Sequence, residues 1–173
     1  MRRLFLLLSI LLVGCLFNSC DSDDLEYQNK FETSLKIWLN FKEYSNNSYK
    51  YTVKNSSWIG FSWETTISVG NGIVIQRDFK YTSTEGLPID IKQGELQWTE
   101  TNSEIGIHKN GAEPITLSEI YNKAQNDWLI ERNNVTTYLE TKNNGMISTC
   151  GYVENNCADD CFIGIHINNI SLL

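Results

Sequence analysis

The sequence has only two histidines, His108 and His166, and it carries neither a Gly-x-Ser-x-Gly elbow nor a His-Glu-x-x-His pair. The common local signatures of α/β-hydrolases and zinc proteases are therefore missing. Basic residues are scarce, 14 against 21 acidic, for a formal net charge of −7. That balance argues against nucleic acid as a partner and against adsorption to anionic lipid; the solubility of a secreted domain accounts for it. No apolar run reaches the roughly 20 residues of a comfortable membrane span. There is no internal repeat and no low-complexity segment.

What is present begins with a leader. Met1-Arg2-Arg3 is a basic start, and Leu4 to Phe17 is an apolar run broken only by Ser9, Gly14 and Cys15. This reads as a secretory signal that is removed. Leu12-Val13-Gly14-Cys15 and Phe17-Asn18-Ser19-Cys20 both resemble the lipobox of bacterial lipoproteins, in which a small residue precedes the lipidated cysteine. Cys15 matches the motif better. Cys20 has the better setting, because the chain turns polar directly after it, and it is the favoured anchor, with Cys15 the alternative. A cleaved leader without lipid is the third reading.

The expected organisation is a lipoprotein signal peptide at 1–19, an acidic tether at 20–26 and a single domain at 27–173. The expected address is across the inner membrane, held by lipid in the bacterial cell envelope at the outer membrane, anchored without spanning. Loss of Arg2 and Arg3 with the leader moves the formal charge from −7 to −9.

Export places Cys150, Cys157 and Cys161 in an oxidising compartment, where a disulfide is expected over a metal site. Three is odd, so at least one thiol stays free or pairs elsewhere, and 157–161, 150–161 and 150–157 are all open pairings. These cysteines lie in one stretch, residues 150–164, which reads as a stapled loop joining the last hairpin. Zinc would need His166 as its fourth ligand. Glu154, Asn155, Asn156, Asp159 and Asp160 offer oxygens to calcium, but their spacing is not that of an EF-hand, and Asx residues more often shape turns. No cofactor is expected.

Between leader and loop the periodicity is legible. Tyr27, Phe31, Leu35 and Trp38 form a helical stripe ending near Tyr44-Ser45-Asn46-Asn47. Alternation predicts a strand at 49–54, another at 61–69, a hairpin at Gly70-Asn71-Gly72 and a strand at 73–81. Residues 95–100 and 104–108 are weaker strand candidates. Thr116-Leu117-Ser118-Glu119 is a capping box, and Leu117, Ile120, Tyr121, Ala124 and Trp128 make the apolar face of a second helix. Strands follow at 135–140, from Met146, and from Phe162 to Ile170, with His166 opposite Ile165 and Ile167. The order helix, strands, helix, strands predicts an α+β domain with two helices packed on an antiparallel sheet.

His108, in a Gly-rich loop, is the one candidate base, with Glu104 as its carboxylate; a solvated loop histidine is the plainer reading. Cys150 with a histidine could make a thiol nucleophile, but an exported thiol near two others more often oxidises. The aromatics, among them Tyr49, Tyr51, Phe61, Trp63, Phe79, Tyr81 and Trp98, read as core for the most part, and as a binding face where exposed. Trp58 falls outside the alternation and is the one expected at the surface.

With these residues laid out, the chain resembles a domain-of-unknown-function family of secreted bacterial lipoproteins. The likeness lies in the helix tryptophan (Trp38), the Tyr-x-Tyr strand (Tyr49, Tyr51), the Val-x-Asn-Gly-x-Val hairpin (Val69 to Val74) and the Thr-Leu-x-Glu-x-Tyr helix start (Thr116 to Tyr121). Asn-Gly-Met (Asn144 to Met146) and the late Asp159-Asp160 complete it, over most of residues 31–170. The resemblance implies a fold and no chemistry. It also implies a cysteine where this chain has Ala124, which would leave one of the three thiols here without its partner. The expected function is that of a non-enzymatic, membrane-anchored binding or structural domain. The alternatives are a small hydrolase using His108, and a calcium-stabilised module using the 154–160 loop.

Overall fold

The computed structural model describes residues 22–158 and 161–173. The lipidation candidates Cys15 and Cys20 and the calcium candidates Asp159 and Asp160 lie outside the described residues.

Seven strands form one antiparallel sheet in the order β4-β3-β2-β1-β7-β6-β5. In chain order the elements are α1 (Ser22–Tyr44), β1 (Tyr49–Ser56), β2 (Ser62–Gly70), β3 (Ile73–Ser83), a one-turn α2 (Gln93–Leu96) and β4 (Gln97–Thr101). Then follow α3 (Leu117–Lys123), running on as a π-helical turn to Trp128, β5 (Val135–Glu140), β6 (Thr149–Glu154) and β7 (Ile163–Leu172). The fold is α+β, with α1 and α3 laid on the sheet.

Helix α1 starts at Ser22, five residues ahead of the Tyr27 stripe, so most of the stretch expected as a tether is helical. Its buried residues are Phe31, Ser34 and Trp38, and they meet Leu117, Ile120 and Tyr121 of α3 over Tyr49, Tyr51, Ile67, Val69, Leu139, Ile167 and Ile170 of the sheet. Three tyrosine hydroxyls in this core are paired. The Tyr121 hydroxyl shares a hydrogen bond with Ser34 Oγ at 2.8 Å and accepts the Ile147 amide at 3.2 Å. The Tyr49 hydroxyl accepts the Leu117 amide at 2.9 Å, and the Tyr51 hydroxyl donates to the Ile115 carbonyl. Two strand tyrosines thus fix the entry to α3. Its capping box is complete: Thr116 Oγ1 accepts the Glu119 amide at 3.2 Å, and Glu119 Oε2 accepts the Thr116 amide at 2.7 Å.

The β2–β3 hairpin turns through Asn71 and Gly72, both with positive φ (51° and 80°), as a tight two-residue turn requires. A bulge follows. Val69 pairs with Val74 but Ser68 pairs with Gln76, so Ile75 is the extra residue. Simple alternation placed Ile73 and Ile75 in phase with Arg77 and Phe79. The bulge instead exposes both isoleucines and turns Arg77 and Phe79 inward.

Three further expectations change. Residues 104–108 are not a strand: a 3-10 turn (Asn102–Glu104) opens a loop that runs to α3. Met146 to Ser148 are buried but precede β6, which begins at Thr149. The cysteine stretch is not one loop, because residues 150–154 pair with β5 and only 155–162 connect the strands. Within the β6–β7 ladder Gly151 faces Gly164, and a Cβ on either would strike the opposite backbone or the Phe162 ring lying over them.

Candidate functional site

Two clusters hold the chemistry. The first surrounds His108. Arg77 and Glu100 face each other across β3 and β4, and their side chains are 2% and 1% exposed. Arg77 Nη1 donates to Glu100 Oε2 at 3.0 Å. The rest of the guanidinium is spent on the following loop, donating to the carbonyls of Ala112 (2.8 Å), His108 (3.1 Å) and Asn110 (2.7 Å). Glu100 accepts the amides of Gly106 (2.7 Å) and His108 (2.6 Å), and its Oε1 lies 2.9 Å from His108 Nδ1. Burial alone would push this carboxyl up. The two amides, the guanidinium and the imidazole outweigh it and hold the group down at about 2.

The carboxylate beside His108 is therefore Glu100, not Glu104, which is exposed on the 3-10 turn. The His108 ring stacks on Trp98 at 4.3 Å, Trp98 stacks on Phe79 at 5.0 Å, and the Arg77 guanidinium caps Trp98 at 4.6 Å. Beyond their mutual ion pair, Arg77 and Glu100 bond the backbone of Gly106, His108, Asn110 and Ala112, so their physical effect is to pin residues 105–112 over β3 and β4 without helix or strand. His108 lines neither of the two clefts described below.

The second cluster lies where the sheet opens. β1 and β7 are paired from Tyr49↔Leu172 to Val53↔Ile167, with an irregularity at Thr52/Val53, and then part. Between the separated ends is a cleft of about 280 Å³ whose walls include Lys54, Phe61, Trp63, Phe162, Ile165 and His166. Phe61, Trp63 and Tyr81 form a half-buried aromatic group, with Phe61 5.9 Å from Trp63 and 6.0 Å from Tyr81. It continues into the core through Phe79, 5.1 Å from Tyr81. On the far wall Phe162 stacks on His166 at 4.3 Å.

A polar cleft of about 290 Å³ adjoins it, also lined by Lys54 and His166, together with Glu140, Lys142, Asn143 and Thr149. Here Thr149 Oγ1 stands 3.3 Å from both Glu140 Oε2 and His166 Nδ1. Burial lowers the His166 pKa, opposed by the nearby Glu140 charge. The Lys142 ammonium, 2.8 Å from Glu140 Oε1, holds that carboxyl below its usual range.

No family model matches the chain, and neither does any curated protein or solved structure.

The remaining candidates are placed as follows. Cys157 and Cys161 are bridged, with Cα atoms 6.1 Å apart. Cys150 is the free thiol, fully buried between β5 and β7, and burial pushes it up to about 12. It is a core residue and no nucleophile. Glu154 is exposed at the end of β6, and among the described residues no group of three or more His, Cys, Asp or Glu side chains could hold a metal. Trp58 is at the surface as expected, 79% exposed. Among the described residues no helix is long and apolar enough to cross a membrane.

The sequence did not single out Arg77, Glu100, or the cleft. Arg77 left one trace, a cation in the apolar phase of a strand. Lys54 left none, since it reads as the outward residue of an alternating strand, and His166 stood out only as a histidine and a possible zinc ligand.

A thiol count tests the cysteine assignment. Mature protein with Cys20→Ser should show no fast-reacting thiol when native, one after unfolding without reductant, and three after reduction, for buried Cys150 and bridged Cys157 and Cys161. Three thiols before reduction would remove the bridge.

Proposed function

We propose that this protein is an exported, lipid-anchored domain of the bacterial cell envelope that binds its ligand non-enzymatically in the cleft between β1 and β7. The observation that carries the binding half is the parting of two central strands around an aromatic-walled opening. Burying the exposed faces of Trp63 and Phe61 would release ordered water and give a ligand apolar area to cover. The anchoring half rests on the leader and on Cys20, with the outer membrane as the expected destination.

Binding is preferred to hydrolysis because the opening is walled by ring faces, which give a ligand area to cover. The polar cleft next door supplies Lys54, Lys142 and Asn143 for contacts beyond the aromatic wall.

Two measurements test the proposal. Mass spectrometry of the mature N-terminus should find Cys20 as the first residue, carrying a diacylglyceryl thioether; an unmodified Cys20 would end the anchoring half. For binding, oligosaccharide and peptide fractions of an envelope digest should be titrated separately into mature protein. One of them should raise Tm, and Trp63→Ala should abolish the rise while changing the ligand-free Tm little. If neither fraction moves wild-type Tm, the binding half fails.

A further inference from the structure

The geometry points to an extended peptide as the ligand of this cleft, entering as an added strand; the inference rests on the cleft being the binding site. Both strands continue beyond their last shared pair, Val53↔Ile167. β1 runs on to Ser56 and stays paired only with β2, through Lys54↔Glu64, Asn55↔Trp63 and Ser56↔Ser62. The first four residues of β7 are paired only with β6, from Ile163↔Tyr152 to His166↔Thr149. Among the described residues each strand therefore has one side without a strand partner, and the two open sides face one cleft.

In an antiparallel ladder alternate residues turn both N–H and C=O toward a given neighbour. About every second residue of 54–56 and of 163–166 thus offers a donor and an acceptor to the opening. Among the described residues, the hydrogen bond from outside the ladders that reaches this backbone is Ser56 N–H to Asn55 Oδ1 at 2.9 Å. Open edges of this kind are templates for another strand.

The walls match the same occupant. An extended chain sends successive side chains to opposite faces. Trp63 lies on the helix-bearing face, in register with Asn55 and Tyr81. His166 pairs with Thr149 on the opposite face, and Phe162 stacks on it. One set of peptide side chains would meet Phe61 and Trp63, and the other Phe162 and His166. Main-chain bonds would supply affinity and the aromatic walls selectivity, as in other strand-addition complexes. A sugar could use the ring faces but would leave both backbone edges unpaired.

The test uses immobilised mature protein with Cys20→Ser and a random heptapeptide display library. The selected heptapeptide is resynthesised with N-methyl groups at alternate backbone nitrogens, once in each phase. Soluble tetra-N-acetylglucosamine serves as the sugar probe. The heptapeptide should bind, and N-methylation in either phase should weaken it about tenfold, because alternate N–H groups of an inserted strand face β1 and β7. Trp63→Ala should weaken it by a similar factor. Phe162→Ala, a side chain outside the buried core, should do the same and guards against misfolding of the first variant. An empty selection, unweakened binding of both methylated peptides, or a binder indifferent to both variants would overturn the proposal. If the tetrasaccharide binds and Trp63→Ala removes it while no heptapeptide binds, the cleft survives as a site and the peptide assignment falls.

Discussion

Glu100→Ala should lose about 3–5 kcal/mol of folding stability in urea titrations, the range found when one partner of a buried ion pair is removed. The substitution leaves the Arg77 guanidinium buried without its counter-charge, and strips the Gly106 and His108 amides of their acceptor. Hydrogen exchange should quicken at those two amides. Arg77→Met should be similarly harmful, because the carbonyls of Ala112, Asn110 and His108 lose their donors. The double variant Arg77→Met/Glu100→Ala should recover part of the loss, since no lone charge remains. A double variant as unstable as the sum of the singles would mean the two residues act separately.

The same pair predicts an acid limb. Glu100 titrates at about 2 when folded, against roughly 4.3 when unfolded. The unfolded chain binds the extra proton, so stability from this group is complete above the unfolded value and is lost as pH falls toward the folded one. Between pH 5 and 2 the wild type should lose about 3 kcal/mol more than Glu100→Gln. Comparing the two proteins removes the contribution of Glu64 and Glu140, whose pKa values are also depressed. Parallel pH profiles would show that Glu100 is not held ionised by its neighbours.

Trp38→Ala should cost about 3–5 kcal/mol, as large-to-small changes at buried aromatics do. Trp38 is 1% exposed and joins three elements. Its ring stacks on Tyr121 of α3 at 5.9 Å, meets Tyr49 of β1 edge-on at 5.2 Å, and lies 6.3 Å from Phe41 of α1. Loss of the indole leaves a cavity where helix, helix and sheet converge, and the hydroxyls of Tyr49 and Tyr121 that order Leu117 and Ile147 lose a packed neighbour. A fall in Tm of roughly 10–15 °C is expected by circular dichroism. Trp58→Ala, at the surface, should stay within about 0.5 kcal/mol of wild type. Equal effects of the two substitutions would contradict the placement of the core.

The elements with local signals were readable in advance. Asn71-Gly72 announces its turn because only a residue tolerant of positive φ fits there, and Thr116 to Glu119 announces a helix start because each side chain satisfies the other's amide. The phase of β3 was misleading, because a bulge adds one residue and flips every side chain before it. Rarity marks His108, but the nearer acid in the loop, Glu104, is not its carboxylate. The strand register instead brought Glu100 opposite Arg77 and under the loop.

By itself the sequence determined the class of fold, the burial of Trp38, Tyr49 and Tyr51, and the exposure of Trp58, because period and composition act over a few residues. The tertiary structure decided the free cysteine, the partner of His108 and the cleft. Each depends on strands brought together from distant parts of the chain, above all β1 against β7, where Tyr49 meets Leu172. The place at which such a pair stops pairing is set by the twist and irregularity of a whole sheet, and no local pattern of residues records it.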